Sequence, residues 1–228
     1  MSRRNAFFIT GTDTDVGKTF VASAMLQAFN ALGKSTLGLK PVAAGCEETE
    51  TGLRNSDAIE LLRVMSIKMP YEQVNPIALK SAIAPHIAAN EEGRRITISR
   101  LVGLCRGAMM QQADVTLIEG AGGWRVPISD RETLAELPKQ LELPVVLVVG
   151  VRLGCINHAC LTAEAIRRDG LQLIGWVANC IDPDMPKKVE NIQTLKHALG
   201  APCLGEIPYV HGQRPEDVCE KLDLSALL

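Results

Sequence analysis

The stretch AFFITGTDTDVGKTFVASAMLQAFNALG, Ala6 to Gly33, decides how the chain folds. A short apolar run (Ala6–Thr10) leads into a polar loop bounded by glycines (Gly11–Thr19). A segment of helical period follows from Lys18 to Leu32 and stops at Gly33. Unbroken apolar runs mark buried strands, a 3.6-residue period marks helices, and glycine is a common helix stop. Strand, glycine loop and helix in that order are the context of a phosphate-binding loop. Its glycines let several N–H groups point at one phosphate chain, and the helix N-terminus adds partial positive charge. Lys18 can then reach the β- and γ-phosphates, and the Thr19 hydroxyl can ligate Mg²⁺. Five residues separate Gly11 from Gly17, one more than the usual pattern.

Outward from this stretch the same alternation continues. Further strands are expected at Thr36–Lys40, Val115–Glu119, Val145–Gly150, Leu173–Asn179 and Cys203–Glu206. Further helices are expected at Ser56–Met65, Ile98–Gln112, Leu134–Leu141, Ile156–Asp169 and Pro186–Leu199. Several strands are apolar throughout, as central strands of a parallel sheet covered on both faces are. The pattern predicts an α/β fold: a doubly wound, mostly parallel sheet with helices on both faces, of the P-loop NTPase type. No repeat or linker divides residues 1–228, so one domain is expected. Pro70–Gly93 is the least regular stretch, with Pro70, Pro76 and Pro85 each blocking helix propagation. Such an excursion is often a binding loop.

Composition narrows the function. Apolar residues make up 46% and charged residues 22% of the 228, proportions of a globular chain. The formal net charge is −2 with no long basic run, which argues against nucleic acid as a partner. Seven cysteines are scattered without a C-x-x-C pair, so neither a zinc site nor a disulfide framework is indicated. The longest apolar stretch, Pro144–Val151, is far below the roughly 20 residues of a membrane span. The apolar run near the start is too short for a signal peptide. A soluble, cytoplasmic protein is expected.

Candidate site residues cluster at strand ends. Glu119 closes the apolar run VTLIE and precedes Gly120, Ala121, Gly122 and Gly123. An acid there faces the crevice where open α/β sheets bind ligands; a turn-capping carboxylate is the alternative. Asp57 is a third candidate Mg²⁺ ligand, or else an acid that complements the first turn of a helix. Thr19, Asp57 and Glu119 together give the sparse, water-rich coordination that Mg²⁺ prefers. Lys40 ends the second strand and can neutralise a transferring phosphoryl group; a solvated strand-end lysine is the alternative. The turn at Gly154 opens a helix whose first N–H groups can hold a carboxylate. Cys155 and His158 fall near one helix face, but packing or capping suits both better than nucleophilic catalysis. Asn179 can bond a base edge, though the guanine-reading pattern N-K-x-D is absent.

Taken together, GTDTDVGKT, KPVAAG (Lys40–Gly45), GLRNSDA (Gly52–Ala58), NP (Asn75-Pro76), PHIAA (Pro85–Ala89), EGAGGW (Glu119–Trp124), LGCINHA (Leu153–Ala159), GWVAN (Gly175–Asn179) and LGEIPY (Leu204–Tyr209) resemble the dethiobiotin synthetase family over most of the chain. The longer spacer in the phosphate loop is typical of that family. The resemblance implies a homodimeric, Mg²⁺- and ATP-dependent enzyme acting on 7,8-diaminononanoate and CO₂, with the substrate site at the dimer interface. By matched position, Lys18 and Lys40 stabilise charge at the phosphoryl group and carbamate. Thr14 and Asp15 face the γ-phosphate and the substrate amines. Asp15, Val16, Gly17, Lys18, Thr19 and Phe20 hold the nucleotide, with Gly120, Ala121 and Gly122 close by. Asn179, Cys180, Pro208, Tyr209 and Val210 surround adenine, and Glu216 closes that pocket. Ala44 lies against substrate, and Gly154, Cys155, Ile156 and Asn157 of the neighbouring subunit clamp its carboxylate.

The chain departs from the family pattern at four of these places. Ala44 stands where a serine is frequent, Asp15 where glutamate is common, Cys180 where an acid is frequent, and Arg125 where an apolar residue is usual. Two other readings fit the loop: a partition-type ATPase switch and a non-catalytic nucleotide-binding paralogue. The switch proteins usually carry a second lysine early in the loop, where this chain has Thr12.

Overall fold

A computed structural model describes residues 5–209 and 211–228. In chain order its elements are β1 (Asn5–Gly11), α1 (Lys18–Ala31), β2 (Thr36–Leu39), β3 (Val42–Ala43), β4 (Glu47–Thr49), β5 (Gly52–Arg54), α2 (Ser56–Val64), α3 (Tyr71–Val74), β6 (Ile77–Ala78), α4 (Pro85–Glu91), α5 (Ile98–Ala108), β7 (Val115–Glu119), α6 (Glu136–Leu141), β8 (Val145–Val151), α7 (Cys155–Arg168), β9 (Leu173–Cys180), α8 (Lys188–Ala198) and β10 (Cys203–Ile207). Short 3₁₀ turns close the chain.

Six strands form one sheet in the order β10-β9-β8-β1-β7-β2, and every pairing in it is parallel. Every residue of β7 and β8 is buried, so both faces of the sheet centre are covered, as their unbroken apolar sequences require. The chain leaves β1 for β2 on one side, returns through β7, and then runs outward through β8, β9 and β10. β1 therefore lies at the point where the winding reverses, and a crevice opens beyond the carboxyl ends of its neighbours. Two small sheets, β3 with β6 and the hairpin β4–β5, lie between β2 and α5 in sequence.

The differences from the sequence reading have local causes. Pro85 does not block a helix but starts one, at N1 of α4, where its missing N–H costs nothing. The stretch Pro70–Gly93 accordingly holds α3, β6 and α4. α5 ends at Ala108 and passes into a 3₁₀ turn before Gln112, which is left-handed at φ 60°. α8 begins at Lys188 because Lys187 takes the left-handed conformation, φ 56°. No helix among the described residues is long and apolar enough to cross a membrane.

Candidate active site

The loop from β1 to α1 bends by two left-handed residues, Asp15 at φ 57° and Gly17 at φ 82°. Aspartate tolerates that region better than most residues. At Gly17 the backbone also passes so close to Asn179 that a Cβ would collide with its amide. Asn179 ends the inner part of β9 and donates from Nδ2 to the Val16 carbonyl at 2.9 Å. The phosphate loop is thus tied to the sheet by a side chain that sequence reading assigned to adenine alone. Asp13 supplies three further ties. Its carbonyl accepts from Lys18 Nζ at 3.0 Å, and its Oδ1 accepts from the Thr14 N–H at 2.8 Å. Its Oδ2 accepts from Arg152 at 2.6 Å.

Below the loop lies a compact charged network. Lys40 is 3% exposed, so it is not a solvated strand-end lysine. Its Nζ donates to Glu119 Oε1 at 2.5 Å, Asp57 Oδ2 at 2.7 Å and the Gly120 carbonyl at 3.3 Å. The Thr19 hydroxyl donates to the same Glu119 Oε1 at 2.8 Å. Burial works against the Lys40 charge, but Glu119 and then Asp57 outweigh it, and its pKa is raised above 10.5. Burial likewise opposes the Asp57 charge, yet Lys40 and Thr19 hold its pKa below 3.8. Lys18 bonds the Asp13 carbonyl but forms no ion pair among the described residues. Burial, followed by repulsion from Lys40, lowers its pKa to about 8.

One atom in this network is left over. Glu119 is 1% exposed, and its Oε2 has no partner among the described residues. A buried acceptor of this kind calls for a ligand. The described residues contain no group of three or more His, Cys, Asp or Glu side chains placed to hold a metal ion. A hydroxyl and two carboxylates converge instead, a hard-oxygen set that suits Mg²⁺ and leaves room for water and phosphate oxygens.

A cavity of about 810 Å³ rises from this floor. Thr14, Asp15, Gly17, Lys18, Thr19, Lys40, Ala44, Asp57, Glu119, Ala121 and Gly122 all line it. Its remaining walls include the turn Ala82–Pro85, part of the stretch Pro70–Gly93 that the sequence marked as a binding loop, and Asn55 and Val126, to which sequence reasoning assigned no role. Arg125, noted only as a departure, also lines it. Val16 packs beneath the loop and Phe20 packs against the core.

Other expected residues lie outside this cavity in the single chain. Gly154, Cys155, Ile156 and Asn157 form the first turn of α7, with Gly154 left-handed at φ 93°. Cys155 is buried whereas His158 is exposed, so the two make no pair. Cys180 ends β9 beside Asn179 and is buried; Pro208 and Tyr209 follow β10 and are exposed. Val210 lies outside the described residues. Glu216 is engaged by the Arg63 guanidinium through two bonds of 3.0 Å.

A parallel sheet with a phosphate loop after its central strand and an acid ending the next strand defines a phosphate-loop nucleotide-binding protein. A family model described as an AAA domain matches residues 5–217, and the MinD cell division protein of Aquifex aeolicus shares the fold. Its TM-score is 0.59 at 16% identity, over 98% of this chain and 93% of that one. The similarity to curated proteins is much closer. An ATP-dependent dethiobiotin synthetase from Cellvibrio japonicus is 59% identical over 99% of this chain and 98% of its own length. One from Pseudomonas aeruginosa is 55% identical over 97% of each chain. The chain belongs to the dethiobiotin synthetase family.

Proposed function

We propose that this chain forms dethiobiotin from 7,8-diaminononanoate, CO₂ and ATP in a Mg²⁺-dependent reaction. The observation that carries the reading is Lys40, buried between Asp57 and Glu119 on the floor of the phosphate-loop cavity. One substrate amine takes up CO₂ as a carbamate. A carbamate oxygen attacks the γ-phosphorus and ADP leaves, giving a carbamic–phosphoric anhydride. The second amine then attacks its carbonyl carbon and expels phosphate, closing the five-membered ureido ring. Phosphorylation is needed because a carbamate is a poor electrophile.

The chain's part is positioning and charge compensation. The phosphate loop, held by Asn179 and Asp13, aims its N–H groups at the β- and γ-phosphates. Lys18, protonated at neutral pH, and Lys40 oppose charge on the phosphoryl group and the carbamate. Thr14 and Asp15 face the reacting end of the cavity. Thr19, Asp57 and Glu119 would hold Mg²⁺, which neutralises phosphate charge when bound. Ala44 offers a methyl where a hydroxyl would add one hydrogen bond to substrate. Asn179 and Cys180 end β9 and Pro208 and Tyr209 follow β10; together with Val210 they are assigned to adenine. Glu216, held by Arg63, is assigned to close that pocket. Gly154–Asn157 serve the carboxylate of the substrate in a neighbouring copy, which makes the functional unit a homodimer. The chain acts as one domain and works in the cytoplasm.

The test is ring closure by the purified protein with ATP, Mg²⁺, bicarbonate and diaminononanoate, followed by mass. Dethiobiotin that disappears with Lys40→Met supports the reading. Diamine-independent ATP turnover without product would favour a switch ATPase, and nucleotide binding without either would favour a non-catalytic paralogue.

A further inference from the structure

Lys40 and Asp57 belong to different segments, one following β2 and the other opening α2. Their ion pair cannot by itself fix their spacing once either turns to a ligand. A second set of contacts joins the two backbones behind the site. The Tyr71 hydroxyl accepts from the Asn55 N–H at 2.7 Å and donates to Asn75 Oδ1 at 2.8 Å. Asn75 Nδ2 donates in turn to the Lys40 carbonyl at 2.7 Å. Asn55 is the N-cap of α2, its Oδ1 accepting from the Ala58 N–H at 3.3 Å, so holding Asn55 holds the turn that carries Asp57. The Tyr71 ring is itself pinned: the Arg54 guanidinium lies 4.2 Å from its centroid and bonds Glu72 at 2.9 Å. Asn55 and Asn75 are 6% and 3% exposed, too buried for water to replace a missing partner without cost.

We propose that Tyr71 is a positioning residue whose hydroxyl, through Asn55 on one side and Asn75 on the other, sets the separation of Lys40 from Asp57. It rests on the roles given to those two residues above. A phenol is suited to the task because one hydroxyl both donates and accepts. Phenylalanine keeps the ring under Arg54 but can do neither, and leaves the Asn55 N–H and Asn75 Oδ1 facing each other across a gap.

The experiment compares Tyr71→Phe with the parent protein in two readouts: ring closure, and calorimetric titration of ATP across a range of Mg²⁺ concentrations. Absence of product from the parent would overturn the proposed reaction, while the titration would still judge Tyr71 because it needs no turnover. The expected result is a rise of about 10-fold in the Mg²⁺ needed for half-maximal ATP binding, as loss of an outer partner to a metal ligand produces. A fall in kcat of roughly 10- to 100-fold should accompany it, with KM for the diamine little changed. Both readouts within about twofold of the parent, with only a lowered melting temperature, would show a purely structural tyrosine and overturn the proposal. If Tyr71→Phe does not fold, Asn75→Ser withdraws the donor from the Lys40 carbonyl and leaves the Tyr71–Asn55 bond in place. It must then show the same two changes, and unchanged values there overturn the proposal equally.

Discussion

Replacing Lys40 by methionine keeps the apolar stem and removes one charge, and the structure says what that charge holds in place. Glu119 has a side chain 1% exposed, and that of Asp57 is 39% exposed. Without the ammonium they become two neighbouring carboxylates with no cation between them. Breaking a buried pair by removing one partner costs about 3–5 kcal/mol. Solvent screens Asp57, so the lower end applies, about 3 kcal/mol, which for a chain of this size is roughly 6–12 °C in melting temperature. The pH dependence has a definite sign. Asp57, with its folded pKa below 3.8, contributes stability above that value and loses it as pH falls through the folded pKa. Lys40, with its folded pKa above 10.5, contributes below 10.5 and loses its share only above the folded value. In the variant the neighbouring Glu119 repels the Asp57 carboxylate, which takes up its proton at higher pH and so sheds the penalty on acidification. The gap between the two proteins should be widest near about pH 7 and should shrink toward about pH 4.5. Millimolar Mg²⁺ should raise the variant's melting temperature more than the parent's. Thermal unfolding followed by circular dichroism over that range checks all three. A neutral-pH loss under about 2 °C, or a gap that stays constant into acid, would refute this account of the network.

Three further outcomes are expected. Gly17→Ala forces a side chain into the left-handed region and against Asn179, a strain of about 1–3 kcal/mol; calorimetry should show ATP affinity reduced by about 10-fold or more. Because Lys18 titrates at about 8 in the free protein, ATP binding should weaken as pH rises through that value and should take up a proton there, detectable as a buffer-dependent heat. Arg152→Ala should change stability by less than about 1 kcal/mol, since both partners of its pair with Asp13 are half exposed. The freed Asp13 carboxylate would then face the phosphates, so ATP affinity should fall several-fold and recover in the double variant with Asp13→Asn. Losses that simply add would refute that reading.

What was legible in the sequence follows from how each feature is encoded. Local signals travel well along a chain: the run VTLIE is a buried strand wherever it is placed, and an acid at its carboxyl end faces the crevice of any sheet wound this way. All six strands of the main sheet and the positions of Lys18, Thr19, Lys40 and Glu119 came from signals of that type, whereas the sequence leaves Asp57, in the first turn of α2, open between a metal ligand and a helix-dipole partner. Lys40 was located this way but its state was not. Whether a strand-end lysine is solvated or locked depends on Asp57, 17 residues away, and Glu119, 79 residues away. Asn179 shows the same limit, because its bond to the Val16 carbonyl spans 163 positions. The Tyr71 relay was harder still. α3 is four residues long, too short to carry a hydrophobic period, and the prolines around it read as an irregular loop. The NP pair was visible only as part of a resemblance. Its physical content is that Asn75 sits one hydrogen bond from the Lys40 backbone and one from the tyrosine that holds α2. A site built on strand ends is therefore legible at the strands and opaque at the short connecting elements that set its spacing, and it is in one of those, α3, that this chain places Tyr71.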